Sequence, residues 1–157
     1  MATRNEIEGV EEEKIQYIVV KIGDEQYGLD ISYVDNIIRM QDITRVPKAP
    51  SHYAGIINLR GEVVPVMSIH RKMDLGDDNI TSKSRIIILK LEAQGLVGVI
   101  VDEVREVITL GESEIERNVK NSRNSKDAMF INGIGKNGEE LISIFEISAI
   151  IDEVATS

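Results

Sequence analysis

The chain has 157 residues, the length of one domain or of one domain built from two halves. Its 27 acidic and 18 basic side chains leave a net charge of −9, with no Trp and only two Phe and four Tyr, which argues against a nucleic-acid surface of clustered cations and stacking rings. The absence of Cys excludes disulfides, thiolate catalysis and Cys-based zinc sites.

Residues 1–13 are polar and acidic and read as a flexible arm. Glu6, Glu8 and Glu11–Glu13 stand where a leader peptide would have its apolar core, and no apolar run reaches the ~20 residues that cross a bilayer. A cytoplasmic protein without direct membrane insertion is expected. KIQYIVVKI (14–22) is rich in β-branched residues and predicts a strand; Gly23-Asp24-Glu25 turns it and 26–29 returns. Asp30 then stands as an N-cap before Ile31, Val34, Ile37 and Ile38, a spacing that predicts a short helix. Residues 43–46 read as extended, and Pro47 and Pro50 forbid a regular element. GIINLRGEVVPV (55–66) predicts a β-hairpin, with Arg60-Gly61-Glu62 breaking two apolar runs. A helical turn over 68–73 and a loop, DLGDDN (74–79), close the first half.

The second half repeats this order. RIIILKL (85–91) and residues 96–101 predict two strands around Gln94-Gly95. Asp102 precedes Val104, Val107 and Ile108 at helical or extended spacing, and 118–126 reads as a polar linker. Residues 128–134 and 141–147 flank Asn137-Gly138, a type I′ turn signal, and 148–154 predicts a closing helix. The halves, 14–76 and 80–152, can be overlaid: Gly28 and Val34 fall on Gly98 and Val104 at one offset, and the Gly61-Glu62 hairpin is matched by one at Gly138-Glu139. Many short strands with turns between them predict an all-β fold of two small barrels with short helices, since barrels remove exposed edges. Residues 153–157 read as a flexible tail.

No catalytic constellation is found. His52 and His70 have no acid nearby in sequence at ligand or triad spacing. Gly133-Ile134-Gly135-Lys136-Asn137-Gly138 matches GxGxxG, yet dinucleotide binding needs a helix to begin there, whereas a strand-like run follows. Glu139-Glu140 and Asp77-Asp78 lie in hydrophilic turns rather than in the apolar pocket a general acid needs. Asn79-Ile80-Thr81 is a chance glycosylation match in an unexported chain. No cofactor and no metal are expected. What remains is apolar surface, which on soluble proteins commonly marks a partner site.

With YGLDISYVDNII (27–38) and VGVIVDEVREV (97–107), the GIINLRGEVVPV hairpin makes the chain resemble the CheW coupling proteins of bacterial chemotaxis over about residues 14–152. Asn58-Leu59-Arg60-Gly61 with Pro65 is the specific part. The resemblance implies two intertwined SH3-like five-stranded β-barrels packed around a shared hydrophobic interface. It also implies a non-catalytic adaptor between the regulatory domain of the histidine kinase CheA and the cytoplasmic tip of chemoreceptors. Carried over by position, the partner-binding residues are Val34, Asn36 and Ile37 on the short helix, Gly55, Leu59 and Arg60 on the hairpin, and Ile86, Ile88, Val97 and Val99 lining a groove between barrels. Gly61 and Gly138 are structural turn residues. Three positions depart from the pattern: Asn36 replaces the Glu that can pair with Arg60, leaving Asp35 as a substitute, and Ser68 and His70 replace an Asp and an Arg. A scaffold in a non-chemotaxis two-component pathway and a small-molecule-binding barrel are the alternative readings.

Overall fold

The computed structural model describes residues 12–117 and 129–151. The first half supplies β1 (Lys14–Ile22), β2 (Glu25–Asp30), β3 (Val34–Arg39), β4 (Tyr53–Leu59), β5 (Glu62–Ser68) and the one-turn helix α1 (Ile69–Lys72). The second supplies β6 (Arg85–Leu91), β7 (Gly95–Val101), β8 (Glu103–Gly111), β9 (Ile115–Glu116), β10 (Ile131–Asn137), β11 (Glu140–Phe145) and α2 (Ile147–Ile150). The expected linker at 118–126 and the expected tail lie outside the described residues. Glu12 belongs to the ordered body, not to a free arm: its carboxylate accepts the Ser113 amide and hydroxyl hydrogens, each at 2.8 Å.

Two sheets form, and each mixes the halves. One runs β8-β1-β2-β11-β10-β9 and the other β3-β6-β7-β5-β4. Exchanging β3 with β8, β6 with β1, β7 with β2, β5 with β11 and β4 with β10 turns the five-stranded order into the first five strands of the other, with β9 added at its edge. All neighbours are antiparallel except β2·β11 and β5·β7, which are parallel in both sheets alike. The duplication inferred from sequence is thus a duplication with exchanged strands. The chain also joins the edges of each sheet. After β3, Thr44 and Ile56 of β4 exchange two backbone hydrogen bonds of 2.9 Å; after β8, β9 pairs with β10. Each sheet therefore curls back on itself in barrel fashion.

Three apolar clusters explain the sequence runs. Tyr17, Val19, Leu110, Ile115, Ile142 and Ile144 fill one curled sheet, and Ile57, Val64, Val66, Ile86, Ile88 and Ile100 fill the other. Between them, Ile18, Val20, Leu29, Met67, Ile87, Leu89, Val97 and Val99 form the central seam. Along β1 and β6 alternate side chains enter different clusters, so both faces are buried and the runs read as continuous instead of alternating. Each such Ile or Val contributes about 1.5–3 kcal/mol by leaving water. Gly28 and Gly98 sit at equivalent crossings, where an added Cβ would come within 3.0 Å of Ile144 and 2.8 Å of Ile86.

Two local expectations are corrected. Residues 34–38 form strand β3, not a helix. Asp30 does cap, accepting the Ser32 amide hydrogen at 2.9 Å, but only one 3-10 turn follows (Ile31–Tyr33). Val34, Ile37 and Ile38 are β-branched, and β6 offers them a ladder that outweighs a four-residue helical spacing. In the second hairpin Asn137 pairs with Glu140, so the loop is Gly138-Glu139 with Gly138 at φ 66°. Only the first loop residue has positive φ, as in a type II′ turn, not the type I′ turn expected.

Candidate functional site

The first hairpin turns through Arg60-Gly61, between the paired residues Leu59 and Glu62. Both loop residues have positive φ, 52° and 84°, the type I′ pattern whose twist suits the flanking strands. The Asn58 side chain accepts the Gly61 amide hydrogen at 2.9 Å and braces the turn. Arg60 is exposed and makes no hydrogen bond or ion pair among the described residues. Asp35 does not stand in as its partner, and Asn36 turns its amide oxygen to the Ile37 N–H, 2.9 Å away. By register Arg60 holds in its hairpin the place that Gly138 holds in the second, one residue from the overlay made on sequence. One loop thus has glycine where the other strains an arginine.

The other expected residues divide into surface and core. Leu59 is half-buried against Ile57 and its neighbours, and Val34 against the central seam. Asn36 is half-buried on β3, and Ile37 is 37% exposed. Gly55 is buried at φ 146°, where an added Cβ would lie 2.2 Å from the Thr44 carbonyl oxygen, so it has a packing role. Ile86, Ile88 and Val99 are 0% exposed and Val97 4%. These four do not line an open groove: Ile86 and Ile88 point inside one curled sheet, and Val97 and Val99 close the seam. Their assignment as contact residues is corrected, because none presents surface to a partner in this folded state.

Sequence reasoning missed Val63. It is 62% exposed, two residues beyond the Arg60-Gly61 turn, and edges a shallow depression with Gln41, Asp42, Thr44, Ile56 and Asn58. The run VVPV hides it, because alternation places Val64 and Val66 inside and Val63 outside. Leu141 is equally placed after the second turn and is also exposed, as are Ile37 and Val107 on β3 and β8.

The histidine reading also changes. His70, on α1, lies with Nε2 2.9 and 3.2 Å from the Asp102 carboxylate oxygens, a contact 32 residues apart that spacing does not reveal. Asp102 accepts the Gly23 amide hydrogen at 2.8 Å, and Ser68 caps α1 by accepting the Arg71 amide hydrogen at 3.1 Å. Ser68 is 0% and His70 6% exposed, so both are enclosed by the fold. Burial pushes the nearby Asp78 carboxyl above its ordinary range, against the Ser68 hydrogen bond and the charges of His70 and Arg71. Among the described residues no three His, Asp or Glu side chains are placed to hold a metal, and no helix is long and apolar enough to cross a membrane.

A CheW-like domain model matches residues 16–155. The chain is 35% identical over 136 residues to the chemotaxis protein CheW of Bacillus subtilis, covering 87% of this chain and 86% of that one. It is 28% identical over 142 residues to the chemotaxis protein CheW of Thermotoga maritima, covering 90% of each. The crystal structure of the scaffolding protein TtCheW from Thermoanaerobacter tengcongensis superposes with a TM-score of 0.80 at 33% identity, over 89% of this chain and 94% of that one. The exchanged-strand architecture, the arginine-bearing turn and these matches lead to one assignment: the chain belongs to the CheW-like domain family.

Proposed function

We propose that this chain is a non-catalytic adaptor that couples chemoreceptors to the histidine kinase CheA in bacterial chemotaxis, working on the cytoplasmic side of the membrane. One observation carries the reading. Arg60 is exposed and without a partner among the described residues, on a left-handed turn that the other hairpin makes with glycine. A residue that strains the fold and holds nothing within it is accounted for by a contact outside it. Val63, exposed on the same hairpin, offers an apolar anchor beside the guanidinium, and Arg beside exposed apolar surface suits the centre of an interface. Ile37 and Val34 extend the surface on β3. Adaptors of this kind act by coupling the conformational equilibria of two partners and need no chemistry of their own.

The test is a spectral titration of the intact chain against the regulatory domain of CheA and against a receptor cytoplasmic fragment. Arg60→Ala is expected to weaken at least one of the two complexes about tenfold or more, as loss of an interface arginine does. Its circular dichroism should match that of the parent. Failure of the parent chain to bind either partner, or unchanged affinity of Arg60→Ala for both, would overturn the proposal.

A further inference from the structure

The two hairpins differ at one position that bears on Arg60. By register Asn58, paired with Val63, corresponds to Lys136, paired with Leu141. Asn58 gives its loop an acceptor: Gly61 N lies 2.9 Å from Oδ1. The side-chain atom that faces an N–H is the carbonyl oxygen, since the amide nitrogen only donates. An ammonium has no acceptor, so Lys136 offers the second loop nothing of the kind. The loops differ accordingly. Arg60 and Gly61 both have positive φ, whereas in the second loop only Gly138 does.

Those two φ patterns correspond to opposite orientations of the peptide between the loop residues. In the first loop its N–H faces Asn58. A type II′ turn is closed to this loop, because that turn has glycine as its first loop residue and Arg60 stands there. The remaining escape is for Arg60 to return to negative φ, the region L-residues favour. That change would swing the side chain to another direction and put in place a turn whose twist splays the strands. The Asn58–Gly61 bond opposes the escape, because it is made only while the Arg60–Gly61 peptide keeps its orientation. Asn58 is exposed, and its side chain makes this one hydrogen bond among the described residues. Truncating it empties no core and strands no buried group.

We propose that Asn58 is a positioning residue: by holding the Gly61 amide, its side-chain oxygen keeps Arg60 left-handed and aims the guanidinium at the partner. The inference rests on the adaptor reading of Arg60 and adds the residue that fixes its direction. Asn58 acts through the turn and not by touching the partner itself. Affinity then follows the fraction of molecules whose turn is braced. One neutral hydrogen bond shifts that equilibrium by about fivefold.

The test reads the turn and the binding separately. In the full chain the Gly61 amide should exchange about fivefold more slowly than that of Glu139, its counterpart in the second loop, after correction for intrinsic rates. Asn58→Ala should abolish this protection, and Asn58→Asp, which keeps an acceptor, should retain it. Binding is read by spectral titration against the CheA regulatory domain and a receptor cytoplasmic fragment. Asn58→Ala, with its circular dichroism unchanged, should weaken the complex that Arg60→Ala weakens, by about twofold to fivefold. Added to Arg60→Ala, it should cost no further affinity, since no guanidinium is left to aim. A Gly61 amide that exchanges as fast as that of Glu139 overturns the proposal. So does an Asn58→Ala loss of equal size in both backgrounds, which would make Asn58 a direct contact. If Arg60→Ala binds both partners as the parent does, the adaptor reading falls and the positioning role with it. If Arg60→Ala is weakened and Asn58→Ala is not, the positioning role alone falls.

Discussion

Replacing Arg60 by glycine should make the protein more stable and a poorer binder. Arg60 holds φ 52°, where an L-residue with a Cβ costs about 1–2 kcal/mol. Glycine removes that cost but adds about 0.5–1 kcal/mol of chain freedom to the unfolded state. No intramolecular bond of the guanidinium is lost among the described residues, so the difference remains: a stabilisation of about 0–1.5 kcal/mol, centred at about 0.7. For a chain of this length that raises Tm by up to about 6 °C. Arg60→Ala keeps the strained φ and should leave stability within about 0.5 kcal/mol of the parent. Urea unfolding with an unchanged m-value measures both. The same two variants are then titrated against the kinase domain and the receptor fragment, where both should lose affinity. A destabilisation of Arg60→Gly by about 1 kcal/mol or more would refute the reasoning, because it would mean that the side chain holds the hairpin together.

Three further outcomes follow from the packing. Ile88→Ala empties a fully buried site inside one curled sheet and should cost about 2–5 kcal/mol in urea unfolding, with the affinity of the folded fraction unchanged. Gly55→Ala combines a φ of 146° with a Cβ 2.2 Å from the Thr44 carbonyl oxygen and should cost about 2–4 kcal/mol, lowering Tm accordingly. Glu12, held below its ordinary ionisation range by the Ser113 amide and hydroxyl, should release Ser113 as pH falls through that lowered value. Glu12→Ala should speed Ser113 amide exchange at neutral pH to the rate the parent shows in acid.

The readable parts of the sequence were those whose physics is local. KIQYIVVKI and RIIILKL declare strands by β-branching alone, and the glycine-rich 133–138 run declares a hairpin because nothing helical follows it. Val34–Ile38 is ambiguous over its five residues, since apolar spacing of three and four fits a helix and a bulged strand alike. Ile86, Ile88, Val97 and Val99 look like surface candidates only if each barrel has an outside at those strands; the seam and the curled interiors leave none. Contacts such as His70 to Asp102 or Glu12 to Ser113 join residues 32 and 101 positions apart, and no spacing rule reaches them. Arg60 is the reverse: its charge stands out between two apolar runs, but only the fold shows that it has no partner among the described residues.

The exchange of strands between sheets bears on how the chain can be made. β1 and β2 emerge first, yet their sheet is completed by β8 and β11, the latter ending at Phe145. The β3-β6-β7-β5-β4 sheet can pair once β7 has ended at Val101, but the sheet begun by β1 and β2 waits for β11, so folding should be slow for its size. Cutting at 77–79 should give two fragments that each lack partners for their edges but assemble with one another on mixing. A gene for half of this protein would encode no barrel at all.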